Sequence, residues 1–197
     1  RDMVYYQSLL PWLKLILNQY SPFAVKGEQA GISFLFPMEK VFESYVAKQL
    51  QLALPNGYSL RTQLSHVHLA HQSTTQQKAF LLKPDLAIYY GQECVAILDT
   101  KWKLVDANLT YDNGNPDPKA GISQADMYQL YAYGHKYLNG VGRLFLIYPQ
   151  WAQFNANKPV PSFEFNDDLT LDVLPFDLES GRLEINLAVN GFGQLAD

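Results

Sequence analysis

A single cysteine, Cys94, occurs among the 197 residues. It cannot form an intrachain disulfide, and there is no cysteine cluster to hold zinc, which points to a reducing, cytoplasmic compartment. No stretch approaches the ~18 uninterrupted apolar residues of a membrane helix. The richest, Leu9 to Leu17, is cut by Pro11 and Lys14. No signal-peptide pattern is visible. The first residue is Arg rather than Met, as expected of part of a longer protein. There is no excess of positive charge: 15 Lys and Arg face 19 Asp and Glu, a net charge of -4. That excludes a strongly basic module gripping nucleic acid by bulk charge, but not a local basic groove. With 12 Gly and 11 Pro, collagen-like and low-complexity classes are excluded too. No internal repeat recurs at a period of 20 to 50 residues.

What is present describes a globular chain. Hydrophobic residues make up 48% and charged residues 17%, enough apolar material for one sizeable domain. Apolar periodicity predicts a helix over residues 4–20, broken by Ser21-Pro22, and a short extended segment at 31–36. A second helix is expected over 37–54, with Pro37 in its first turn and a stripe of Met38, Val41, Phe42, Tyr45, Val46 and Leu50. Strands are expected at 64–69, 80–90 and 93–102, the last two joined by a turn at Gly91-Gln92. The unbroken apolar run Cys94-Val95-Ala96-Ile97-Leu98 suggests a central strand buried on both faces. A loop at 104–122 is centred on Asp112-Asn113-Gly114-Asn115-Pro116. A third helix should cover 124–139, started by Ser123 and Asp126 at capping-box spacing. Strands at 143–148, 162–165, 169–174 and 182–189 complete an α/β core with a β-rich tail.

The chemistry-bearing residues cluster between 83 and 103. Pro84-Asp85 sits in one expected strand, and Asp99-Thr100-Lys101 lies 14 residues further on in the next, directly after its apolar run. Strand alternation points Asp99 and Lys101 the same way. A hairpin would let Asp85 meet Asp99. Two carboxylates and a backbone carbonyl form a hard-oxygen set suited to Mg²⁺. A metal there stabilises charge on a phosphate and lowers the pKa of bound water. Lys101 would orient or help deprotonate that water, or neutralise the phosphorane. The competing reading is a structural ion-pair set at a strand end. Glu43 borders the apolar stripe of its helix, with Glu39 one turn earlier as a rival that could simply pair with Lys40 or Lys48. Gln129 and Tyr133 share a helix face and could position a phosphate or Lys101, but Gln124 and Tyr128 have the same spacing. Asp126 is sufficiently explained as a capping residue. His66, His68 and His71 lack partners to complete a zinc set, and Trp102 points away from Lys101. Lys83, Lys101 and Lys103 form at most a short phosphate-contacting strip.

Several blocks together resemble a known family. They are Phe36-Pro37-Met38-Glu39-Lys40-Val41-Phe42-Glu43-Ser44-Tyr45-Val46-Ala47, Leu82-Lys83-Pro84-Asp85, Ile97-Leu98-Asp99-Thr100-Lys101-Trp102-Lys103, Asp126-Met127-Tyr128-Gln129-Leu130-Tyr131-Ala132-Tyr133 and Leu146-Ile147-Tyr148-Pro149. In this order they resemble the McrC family, the nuclease subunit of the McrBC modification-dependent restriction system. The resemblance implies a PD-(D/E)xK, restriction-endonuclease-like core: a mixed central sheet flanked by helices. It places Glu43, Asp85, Asp99 and Lys101 on metal and catalytic positions. It also favours Gln129 and Tyr133 as the accessory helix pair.

The resemblance further implies a Mg²⁺-dependent DNA endonuclease (Mn²⁺ as a possible substitute), a partner AAA+ GTPase like McrB, and a role in phage defence. Metal would fall to Asp85, Asp99, Glu43 and the Thr100 carbonyl. The expected layout is an N-terminal helix and linker over 1–30, then a nuclease domain over 31–197 with a β-rich extension from about 150. McrC proteins carry an N-terminal region that contacts McrB, and little of it can precede a nuclease motif beginning near residue 36. Alternatives are a RecB-like exonuclease or repair nuclease, a catalytically idle scaffold stimulating a GTPase, and a small-molecule hydrolase, for which no nucleophile–base pair is visible.

Overall fold

The strand Glu93–Thr100, β5 here, organises the rest. A computed structural model describes residues 37–109 and 119–183. The expected helix at 4–20, the extended segment at 31–36, the turn centred on Asn113-Gly114 and most of the strand at 182–189 lie outside those residues. The elements are α1 (Met38–Ala53), β1 (Tyr58–Thr62), β2 (Val67–His71), β3 (Lys78–Leu82), β4 (Leu86–Tyr90), β5, α2 (Gln124–Tyr137), β6 (Gly142–Pro149), β7 (Phe163–Asn166) and β8 (Leu169–Phe176). Six strands form one mixed sheet in the order β1-β4-β5-β6-β8-β7, and β2 with β3 forms a separate hairpin. β5 pairs antiparallel with β4 and parallel with β6. The connection from β5 to β6 runs through α2, as a parallel pair requires.

The continuous apolar run of β5 is explained by burial on both sides. Ala96 and Leu98 join Leu86, Ile88, Phe145 and Ile147 beneath Phe42, Val46 and Leu50 of α1. Ile97 joins Ala87, Leu144 and Leu146 on the face carrying Leu130, Tyr133 and Leu138. The sheet is therefore sandwiched between α1 and α2. Helix α2 starts where the Ser123 hydroxyl accepts from the Asp126 N–H at 3.1 Å, satisfying one free helix-terminal donor. Gly134 lets α2 sit close: a Cβ there would lie 2.7 Å from Leu169 Cδ2.

Two expected strands are redrawn, and the other boundaries shift by one or two residues. The strand expected at 80–90 is broken into β3 and β4 at Lys83-Pro84-Asp85, because Pro84 has no N–H for a ladder. The strand expected at 64–69 shifts to Val67–His71 as β2, and β1 precedes it unexpected, with Gln63 between them at a φ of 48° that turns the chain. The β-rich tail is no appendage: β8 pairs parallel with β6 over its whole length, and β7 forms the sheet edge. No helix among the described residues is long and apolar enough to cross a membrane.

Candidate active site

The site forms where β4 begins and β5 ends. Their last regular pair is Leu86 with Leu98. Continuing that register sets Asp85 opposite Asp99, and Pro84 opposite Thr100. Pro84 cannot donate to the Thr100 carbonyl. Nor does its carbonyl receive the Thr100 N–H. Instead the Asp85 carboxylate accepts from both the Thr100 N–H and its hydroxyl, each at 2.9 Å. On the other edge, the Lys101 N–H donates to the Ile147 carbonyl at 2.9 Å, so the parallel ladder continues one residue past β5. The backbone carrying Asp99, Thr100 and Lys101 is thereby fixed from both sides.

Asp99 is 2% exposed. Lys101 Nζ lies 2.5 Å from its Oδ2, yet that buried oxygen has no well-aligned hydrogen bond. Burial pushes the Asp99 carboxyl up to about 6, the charge of Asp85 pushes the same way, and Lys101 opposes both. For Lys101, burial favours the neutral form, but Asp99, Asp126 and Asp85 together outweigh it and hold the ammonium above its ordinary value. Lys101 also lies 3.5 Å from Gln129 Oε1 and 3.7 Å from Asp126 Oδ1. Asp126 accepts a closer bond from Lys103, at 3.0 Å.

The two candidate helix pairs differ in position. Gln129 Nε2 donates to the hydroxyl of buried Tyr133 at 2.6 Å. Burial raises the Tyr133 phenol, Gln129 opposes, and Asp99 and Asp85 add to the rise. Gln124 and Tyr128 make the same bond at 2.5 Å on the exposed side of α2. Glu43 is buried while Glu39 is exposed. Lys40 pairs with Glu43 at 2.6 Å rather than with Glu39. The other Glu43 oxygen accepts from Gln63 Nε2 at 3.2 Å, and the Gln63 N–H donates to the Asp85 carbonyl at 2.9 Å. Glu43 thus reaches Asp85 through Gln63.

Asp85, Asp99 and the Thr100 carbonyl suit a divalent cation. They are hard oxygens, the carbonyl faces a proline, and both causes that raise Asp99, its burial and then the Asp85 charge, are offset by a cation. Among the described residues, no three His, Cys, Asp or Glu side chains converge as a ready metal cluster. Glu43 is engaged with Lys40 and Gln63, so it fits a water-mediated role better than direct ligation. His66 packs edge-on against Tyr137, His68 and His71 lie on β2, and Trp102 leans on Phe42.

Two residues carry more than their sequence context suggests. Asp126, sufficient as a cap in the sequence, faces both Lys101 and Lys103. Its spacing from Gln129 and Tyr133 (i, i+3, i+7) is the signal that points to the site. Gln63 has no such signal, being a lone glutamine between strands.

The family model of the McrBC 5-methylcytosine restriction system component matches residues 1–149. The chain belongs to that family. The McrC resemblance of its sequence blocks is thus upheld for this McrBC component. No curated protein sequence matches it significantly. Among solved structures, a chain of the refined half-complex from the tetradecameric assembly of Thermococcus gammatolerans McrB AAA+ hexamers with bound McrC is similar. The TM-score is 0.51 and the identity 17%, over 89% of this chain and 43% of that one. At that identity the likeness is one of fold, and this McrBC chain spans less than half of its neighbour.

Proposed function

We propose that this McrBC component is a Mg²⁺-dependent DNA endonuclease subunit with a restriction-endonuclease-like core. The observation that carries the reading is the facing pair Asp85 and Asp99 at the end of a buried strand, with Lys101 ion-paired to Asp99. A divalent ion held by Asp85, Asp99 and the Thr100 carbonyl would supply charge stabilisation at a scissile phosphate and an acidified water. Asp85, held by two bonds from Thr100, keeps its position as charge builds at the site. Lys101 is a cation at neutral pH, which favours orienting the attacking water and neutralising the phosphorane over acting as a base. Gln129, bonded to Tyr133, limits where the Lys101 ammonium can move. Glu43 holds Gln63, which in turn holds the Asp85 backbone.

The -4 net charge suits a subunit that is handed its DNA. An AAA+ GTPase is the partner we assign to that task. The solved neighbour's own assembly, McrB AAA+ hexamers with bound McrC, supports this assignment. A second reading is a non-catalytic scaffold that stimulates a GTPase. It draws on the absence of a three-carboxylate cluster among the described residues. The two are separated by nicking of supercoiled plasmid in Mg²⁺ and then EDTA, with and without a co-purified NTPase. Mg²⁺-dependent nicking lost in Asp99→Ala establishes the nuclease. Unchanged NTPase stimulation without any nicking establishes the scaffold.

A further inference from the structure

From residue 44 to residue 84, between Glu43 and Asp85, the chain holds no Asp or Glu, although it has 19 in all. That stretch contains the β2–β3 hairpin and three of the four histidines. The β2–β3 hairpin within it therefore carries lysine and histidine but no acid of its own. Lys78 opens β3 and Lys83 follows it, both exposed, with no acidic residue directly beside either in sequence, and His71 sits opposite Lys78.

Three further features give the surface a character. Residues 72–77 are all Gln, Ser or Thr, all exposed, and ordered by the bonds Gln72 N–H to Gln77 carbonyl and Gln76 N–H to Gln72 carbonyl, at 2.9 and 2.8 Å. Phe80 is 74% exposed, the most exposed of the large apolar residues described. It also has φ of 58°, a conformation that a bulky side chain rarely adopts. Strain and exposure combined in one aromatic are features that folding alone does not favour.

The hairpin is tied to the candidate centre. The Tyr137 hydroxyl donates to the Leu82 carbonyl at 3.1 Å, and Tyr137 stands one turn along α2 from Tyr133. β3 leads through Lys83 and Pro84 directly to Asp85. Its five residues span ~17 Å at about 3.4 Å each, enough to follow a groove edge away from a cut site.

We infer that the β2–β3 hairpin is a DNA-contacting arm: Lys78 and Lys83 meet phosphates, the Gln/Ser/Thr tip meets sugar and base edges, and Phe80 lies against bases. Each of these residue types is suited to that role. The choice of DNA rests on the nuclease reading above. Lysines without acids beside them suit a polyanion, and sedimentation mass distinguishes DNA from a second acidic copy.

The test is binding of a short fluorescent DNA duplex by the whole chain in EDTA, where no cutting intervenes, across a range of low to moderate salt. Lys78→Ala with Lys83→Ala should weaken binding and reduce the log–log salt slope by about 1.8, about 0.9 for each phosphate left without its lysine. Phe80→Gly should weaken binding about fivefold or more without lowering Tm, since glycine accepts the positive φ. Phe80→Tyr should retain binding. Variants that bind like wild type, a wild type that does not bind at low salt, or variants that change only the sedimentation mass would overturn the arm. A chain that binds through these residues yet never nicks in Mg²⁺ keeps the arm and removes the nuclease. Lys101-dependent nicking with unaffected variant binding does the reverse.

Discussion

Asp85 takes the place of a strand at Thr100: one carboxylate oxygen accepts both the Thr100 N–H and its hydroxyl, each at 2.9 Å. The same residue therefore closes the end of the sheet and offers its other oxygen to the site. Asp85→Asn keeps an acceptor for Thr100 but removes the charge that repels Asp99. Its Tm should be equal to or above wild type. Calorimetric titration with Mn²⁺ should show binding in the wild type and little in the variant. Equal binding in both would exclude the site as drawn. Thr100→Val, which deletes only the hydroxyl bond, should cost about 1 kcal/mol of stability and leave Mn²⁺ binding in place.

Lys101 separates chemistry from structure. If it serves the reaction, Lys101→Ala abolishes cleavage while Mn²⁺ binding persists. Loss of its charge leaves Asp99 buried beside Asp85, so the carboxyl protonates more readily and the fold survives near neutral pH. If Lys101 only neutralises Asp99, the variant keeps its activity and melts lower. Plasmid nicking and thermal melting on the same preparation distinguish the two.

The pH dependence of stability follows from Asp99. Its folded-state value of about 6 lies above its ordinary 3.8, so the folded protein holds this proton more tightly than the unfolded chain. The resulting stabilisation is complete below 3.8 and is lost as pH rises through about 6. It amounts to about 3 kcal/mol at most for a shift of about two units. Asp126 acts in the opposite sense: burial would raise it, but Ser123, Lys103 and Lys101 bring it below its ordinary value. Its stabilisation is present above 3.8 and is lost as pH falls towards the lowered value. In EDTA, wild-type Tm should therefore decline between about pH 4 and 6, and Asp99→Asn should show a flatter profile. Identical profiles would remove Asp99 as the buried titrating group.

Much of this arrangement was legible in the sequence, for reasons that particular residues make plain. β5 was readable because five consecutive apolar residues fit only a strand covered on both sides. α1 and α2 were readable because their stripes run at helical period and each has a defined start. β1 and β2 were not. Both strands are largely exposed, and the turn between them depends on a positive φ at Gln63 that a glutamine does not advertise. The meeting of Asp85 with Asp99 followed from the hairpin at Gly91-Gln92. The link from Glu43 through Gln63 to Asp85 joins three elements remote in sequence, and no local pattern encodes it.

Gly134 tests whether α2 must lie close to the sheet. A Cβ there would come within 2.7 Å of Leu169 Cδ2 and 3.1 Å of Leu144 Cδ1, both fully buried side chains. Gly134→Ala should cost about 1–3 kcal/mol through overpacking, lowering Tm by roughly 2–4 °C per kcal/mol. Gln129 and Tyr133 ride on the same helix, so nicking should fall more than Mn²⁺ affinity, because Asp85 and Asp99 belong to the strands. Equal loss of both would mean that α2 supports the metal site rather than the substrate.

In isolation the chain should be a poor nuclease. Its net charge is -4, so long-range attraction to DNA is absent. The acid-free β2–β3 hairpin offers few cations and would give weak, salt-sensitive binding. Within the site, Lys101 is already paired with Asp99 at 2.5 Å, an arrangement that must open for a phosphate to be engaged. Both features favour a nuclease that waits until DNA is delivered under load by an NTP-hydrolysing partner. Purified chain should therefore nick plasmid slowly or not at all at physiological salt in Mg²⁺, across a wide concentration range. Addition of the partner and its nucleotide should accelerate cutting, and Lys101→Ala should abolish the acceleration. Rapid, Lys101-dependent cutting by the chain alone would refute partner dependence and leave the nuclease assignment intact.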